Sequence, residues 1–157
     1  MKINWKKLIL CIAIPLLVGG LSALLTRNSM EAFSTLEKPP LSPPGWLFPV
    51  VWTILYILMG IASYLVSTAK APGTAKDSAL AVYAISLVFN FFWSIIFFKM
   101  EMYLFAFFWL VALWLLILWT AVLFGRINKT AGLLMVPYLL WVTFAGYLNF
   151  GIYLLNK

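Results

Sequence analysis

Tryptophan and tyrosine recur beside uncharged hydrogen-bonding residues at helical spacing, and that pairing defines the chemistry open to this sequence. At about 100° per residue, Trp52, Tyr56, Met59 and Ser63 share one helix face, as do Ser86, Asn90, Trp93 and Phe97. Trp141, Ala145, Leu148 and Asn149 form a third stripe, and Ser22 and Thr26 add two hydroxyls upstream. Such stripes suit a flat, largely apolar, aromatic ligand that takes stacking surfaces and a few neutral polar contacts without a compensating buried charge. The bland alternative is that Asn90 and Asn149 only bond neighbouring helices and that the tryptophans only pack.

The residues that are missing narrow the chemistry further. The chain has no histidine and one cysteine, Cys11. Without imidazole, the usual ligand of haem iron, zinc and copper is gone, and so is the usual general base near neutral pH. A lone cysteine excludes an intramolecular disulfide, and Cys11 reads as a core thiol. There is no Ser-His-Asp set, metal cluster, phosphate-binding glycine loop or carboxylate pair, so hydrolytic and metal-assisted reactions have no candidates. Binding remains, with redox or radical work by tryptophan on a bound chromophore; these residues call for no metal and require no cofactor.

Those stripes need helices to carry them. Of 157 residues, 65% are apolar and 18% aromatic but only 10% charged, and the mean hydropathy is +1.04. Soluble domains carry about a quarter charged residues, so the chain reads as an all-α integral membrane protein. Five runs free of Asp, Glu, Lys and Arg stand out, giving five transmembrane helices over about 8–26, 47–69, 79–98, 103–124 and 131–155. Together they form a single membrane domain over residues 1–157. The first run has the look of a signal peptide, but four more spans follow, so it is read as a retained helix. Glu31, Glu37, Asp77 and Glu101 all fall outside the runs, which argues against a proton-coupled transporter that needs an intramembrane carboxylate.

The net charge of +7 reads as flanking charge that sets topology and meets anionic lipid; no basic stripe suggests nucleic acid. Lys2, Lys6, Lys7, Lys70, Lys76, Arg126 and Lys129 lie on one side, against Arg27, Lys38, Lys99 and Lys157 on the other. The bias places the N-terminus in the cytoplasm.

Three connections are short, so consecutive helices are antiparallel neighbours. The exception is the loop over residues 27–46, long enough to act as a lid. Its first half is expected to form a short helix capped by Asn28 or Ser29. Its second half, Lys38 to Trp46, holds four prolines and should lie stiff and extended over the bundle mouth. Pro15, Pro49 and Pro137 punctuate the spans, and Gly19 with Ala23 makes a small-xxx-small pair. Trp109, Trp114 and Trp119, together with Trp5 and Tyr103, are expected in lipid-facing or interfacial belts.

At these stripes the sequence resembles a known family. Lys38-Pro39-Pro40-Leu41-Ser42-Pro43-Pro44 followed by Phe48-Pro49-Val50-Val51-Trp52-Thr53-Ile54-Leu55-Tyr56 resembles the first-loop and second-helix signature of the TspO/MBR family, the tryptophan-rich sensory or translocator proteins. Asn90-Phe91-Phe92-Trp93-Ser94 through Phe97-Phe98 is similar to its third-helix motif. Pro137-Tyr138-Leu139-Leu140-Trp141-Val142-Thr143-Phe144-Ala145, continuing to Leu148-Asn149 and Leu155-Asn156, is similar to its fifth.

The resemblance implies a homodimer of five-helix subunits in a bacterial cell membrane. It also implies a pocket under the first loop that binds porphyrins and synthetic ligands of the benzodiazepine-receptor type. Carried over by position, that pocket includes Pro44, Trp52, Asn90, Trp93, Trp141, Ala145 and Leu148. Bacterial relatives degrade protoporphyrin in a light- and oxygen-dependent way, and the resemblance gives Trp52 and Trp141 the role of electron or radical partners of the excited porphyrin. The expected function is therefore tetrapyrrole binding with porphyrin degradation. The alternatives are a carrier of porphyrin or another lipophile, and a ligand-sensing receptor without turnover. Porphyrin propionates would sit at the bundle mouth, where Arg27 or Lys38 meets them. Leu148, Tyr153 and Lys157 satisfy a loose cholesterol pattern that is weak, and sterol transport is not expected.

Overall fold

In the computed structural model, which describes residues 2–157, the chain starts by tying itself to its neighbour. The Asn4 side chain accepts from the Lys7 backbone N–H at 3.2 Å and caps helix α1, Trp5–Thr26, while the Asn4 N–H donates to Tyr64 Oη at 2.9 Å. Pro15 is buried inside α1 without ending it. A single 3-10 turn, Arg27–Ser29, then leads straight into α2, Met30–Ser34. The expected caps are therefore not used: Ser29 makes no side-chain cap bond, because the helix continues rather than restarts.

Helix α3, Leu47–Ser67, carries Pro49 at its third position, where the missing N–H costs nothing. Helix α4, Gly73–Ser94, begins six residues before the uncharged run at Ala79. Thr74, Lys76, Asp77 and Ser78 are tolerated there because the first turns lie outside the apolar layer. Lys76 Nζ reaches back to the carbonyls of Ser67 and Ala69, at 3.3 and 3.0 Å, to finish α3. A π-helical turn, Ile95–Lys99, ends α4. Helix α5 spans Tyr103–Ile127; α6, Lys129–Leu134, is capped by Asn128, which accepts from Ala131 N at 3.1 Å. Helix α7, Val136–Asn156, follows a break at Met135 two residues ahead of Pro137.

Five helical stretches are long and apolar enough to cross a bilayer: Trp5–Ser34, Leu47–Ser67, Gly73–Lys99, Tyr103–Ile127 and Lys129–Asn156. No strand occurs among the described residues. Helix α1 lies along α3, and α5 lies between α4 and α7. Gly60 makes the first pairing: a Cβ there would collide with the backbone of Ile12 and Cys11, so only glycine lets the two helices approach so closely. Tyr138, Phe124, Met59 and Leu113 fill the core, while Leu17, Ile9, Phe108 and Leu140 stand on the outside where lipid covers them.

The residues expected in the belts differ in exposure. Trp5 and Trp119 are exposed. Trp109 instead stacks on Phe89, with ring centroids 4.4 Å apart, and donates to Phe89 O at 2.8 Å. Trp114 donates to Thr143 Oγ1 at 2.8 Å, and Tyr103 packs on Phe97 at 5.0 Å. Helix α5 has neighbours on both sides, so of its three tryptophans Trp119 is exposed while Trp109 and Trp114 are half-buried.

Candidate functional site

The site begins with a glycine. A Cβ on Gly19 would overlap the Tyr56 ring, so its absence lets that ring press against α1. Tyr56 stacks on Trp52, with centroids 5.5 Å apart and planes 26° apart, and Trp52 meets the edge of Tyr138 at 6.2 Å. Below them Asn90 Nδ2 donates to Tyr138 Oη at 3.1 Å, both residues being buried. Asn90 thus supports the site from beneath and does not line it.

The facing wall comes from α4 and α7. Trp93 stacks on Phe97 at 5.2 Å and donates its indole N–H to Asn149 Oδ1 at 3.0 Å; Asn149 Nδ2 in turn donates to Tyr103 O at 2.8 Å. Both polar ends of Asn149 are therefore committed to holding helices, although the residue borders the cavity. The π-helical turn widens the backbone by one residue, which brings Phe98 beside Phe97 on the same wall. Trp141 forms the third wall, with Phe48 edge-on at 5.9 Å. Its indole N–H is buried without a hydrogen-bond partner.

These walls enclose a cavity of about 530 Å³, lined also by Ser22, Ala145 and Leu148, within the size range of small-molecule sites. Ser42, Pro43 and Gly45 of the loop close over it; Pro44 turns outward and does not line it. The loop is fastened to α7. Asn156 Oδ1 accepts from Glu37 N at 3.0 Å, Asn156 Nδ2 donates to Glu37 O at 2.8 Å, and Tyr147 Oη donates to Pro40 O at 2.7 Å. Leu41, at its tip, has φ 70°, a left-handed conformation uncommon for leucine.

Two cations stand at the mouth. Arg27 is exposed and borders the cavity. Lys38 borders it too, but its Nζ donates to the carbonyls of Phe33, Leu36 and Ser34 at 3.1, 3.2 and 3.4 Å and lies 4.8 Å from the Phe33 ring centroid. Its charge is spent on the end of α2. Among the described residues no cluster of His, Cys, Asp or Glu suits a metal ion. The walls carry no ionisable acid or base other than Tyr56, so the site suits binding and aromatic electron donation better than proton transfer.

Of the residues singled out from sequence, Ser22, Arg27, Lys38, Trp52, Tyr56, Trp93, Trp141, Ala145, Leu148 and Asn149 border one cavity, while Pro44 and Asn90 do not. Sequence reasoning missed Gly20, Phe33, Phe48 and the loop residues Ser42, Pro43 and Gly45. The proline run located the loop but carried no periodicity to say which of its residues turn inward.

A second hollow, about 460 Å³, lies between α5 and α7 and includes Trp114, Thr143 and Tyr147. The polar groups of those three are already paired with one another or with the loop.

Comparison with known proteins supplies the family. The family model described as TspO/MBR matches residues 11–155. The chain is 43% identical to the tryptophan-rich protein TspO of Chlorobaculum tepidum, over 95% of each protein. It is 42% identical to protein CrtK of Rhodobacter capsulatus, over 79% of this chain and 78% of that one. It is 31% identical to the translocator protein of Bos taurus, over 87% of this chain and 82% of that protein. With a family match over nearly its whole length and a cavity walled by the tryptophans that carried the resemblance, this multi-pass membrane chain belongs to the TspO/MBR family.

Proposed function

We propose that the cavity binds a flat tetrapyrrole such as protoporphyrin, its ring among Trp52, Trp93 and Trp141 and its carboxylates at the mouth beside Arg27. The observation that carries this reading is the placement of three tryptophans, from three helices, around one uncharged space of about 530 Å³ whose cations stand at the rim. A porphyrin matches both halves of that description: a broad aromatic face that gains from stacking, and acidic groups confined to one edge. Synthetic ligands of the benzodiazepine-receptor type occupy the same space.

Under light, Trp52 and Trp141 act as electron donors to the excited ring, and dioxygen is the terminal oxidant of the degradation that follows. The test is incubation of the purified protein with protoporphyrin, in light or dark and with or without oxygen, followed by spectra and product analysis. Saturable binding in the dark and porphyrin loss only with both light and oxygen are expected. Loss that is unaltered in Trp52→Phe with Trp141→Phe removes the electron-donor role. A carrier would instead show porphyrin flux across proteoliposomes, and a receptor would show binding with neither flux nor loss. The protein acts as a homodimer, which cross-linking in membranes tests.

A further inference from the structure

We propose that the cavity has a second entrance, a sideways doorway between α1 and α3 at bilayer depth, through which an apolar ligand dissolved in the lid-side leaflet enters directly from lipid. The proposal rests on reading the cavity as a ligand site. Gly20 of α1 and Pro49 and Thr53 of α3 border the cavity and are exposed. Beside them stand exposed apolar residues: Leu17 is 71% exposed, Leu21 51% and Ile54 53%. The lining of the cavity and the lipid-facing surface therefore meet without a wall between them. A Cβ added at Gly20 meets no atom within 4 Å, so the space there is open.

Depth and chemistry agree with this route. Gly20 lies seven residues before Arg27, about 10 Å along the helix, which puts the doorway below the charged mouth and within the hydrocarbon layer. Deeper still, Gly60 closes α3 directly on Ile12, so the gap is confined to the lid-side half of the bundle. Thr53 Oγ1 donates to Pro49 O at 2.6 Å, and no charged residue frames the opening, so a passing ligand meets neither a charge nor an unpaired threonine hydroxyl. The loop over the top, by contrast, is fastened to α7 by the bonds from Asn156 and Tyr147. The ligand class this selects is flat and lipid-partitioning, with its polar edge kept at the level of Arg27 while the apolar body slides in sideways.

The test places Ala145→Cys in the cavity of a Cys11→Ser protein reconstituted in lipid vesicles. Its labelling rate is measured with a bilayer-dissolved pyrenyl maleimide and with a sulfonated, water-soluble maleimide. Filling the doorway with Gly20→Phe is expected to slow the lipid-borne reagent by about tenfold or more, with less than about a twofold change for the water-borne one. Thr53→Phe, from the opposite edge, is expected to do the same and covers the case in which the first variant fails to fold. Unchanged pyrenyl labelling, or equal slowing of both reagents, overturns the doorway. Protoporphyrin binding measured in the same vesicles judges the tetrapyrrole reading separately, since labelling does not depend on it.

Discussion

Trp93 and Asn149 are joined across 3.0 Å, indole N–H to amide oxygen, and the same amide donates to the Tyr103 carbonyl at 2.8 Å. One side chain on α7 thereby fixes the tryptophan of α4 and the first residue of α5, which ties this wall of the cavity to three helices.

Asn149→Leu should therefore act on stability as well as binding. It leaves a buried indole N–H without its partner and removes the cross-helix bond to the Tyr103 carbonyl, and interhelical bonds of this kind contribute about 1–2 kcal/mol. Thermal unfolding in detergent should fall by several degrees; an unchanged midpoint would show that the two bonds are replaced.

The loop clamp makes a kinetic prediction. Asn156→Ala removes both bonds to the Glu37 backbone, and one net hydrogen bond of about 1 kcal/mol corresponds to roughly fivefold in rate. Porphyrin dissociation followed by stopped-flow tryptophan fluorescence should accelerate by about that factor if the ligand leaves past the lid. Unchanged dissociation would mean that release does not pass there.

The two cations at the mouth should separate cleanly. Arg27→Gln is expected to weaken protoporphyrin binding by roughly two- to fivefold, the scale of an exposed ion pair, without affecting the dimethyl ester. Lys38→Met should weaken acid and ester alike, because its ammonium group holds the carbonyls of Phe33, Ser34 and Leu36. Fluorescence titration with both ligands checks this, and an acid-specific loss in Lys38→Met would give the lysine the propionate role instead.

A pair of glycine substitutions should diverge. Gly60→Ala forces a methyl into the backbone of Ile12 and should destabilise by about 1–3 kcal/mol or more. Gly20→Ala points into open space and should stay within about 1 kcal/mol of the wild type. Equal unfolding midpoints would contradict the close α1–α3 approach.

Hydropathy located all five spans because the bilayer demands apolar length, but it located the apolar layer rather than the helix. That is why α4 starts at Gly73 instead of Ala79, and why the first helical stretch runs on to Ser34. The 100° rule found Trp52, Trp93 and Trp141 because each sits on regular helix. It failed at Phe98, where the backbone winds more widely. Pro43 and Pro44 were indistinguishable in sequence, since a proline-rich segment has no repeating face.

The wide turn at Ile95–Lys99 has a consequence for how this wall can vary. It holds one more residue than an α-helical turn would, so removing Phe97 restores regular winding while the segments on either side keep their places. The wall beside Trp93 would then carry one phenylalanine ring where it now carries two, Phe97 and Phe98. The breadth of the aromatic surface here is set by chain length as much as by residue identity, and a single-codon deletion would narrow it in one step.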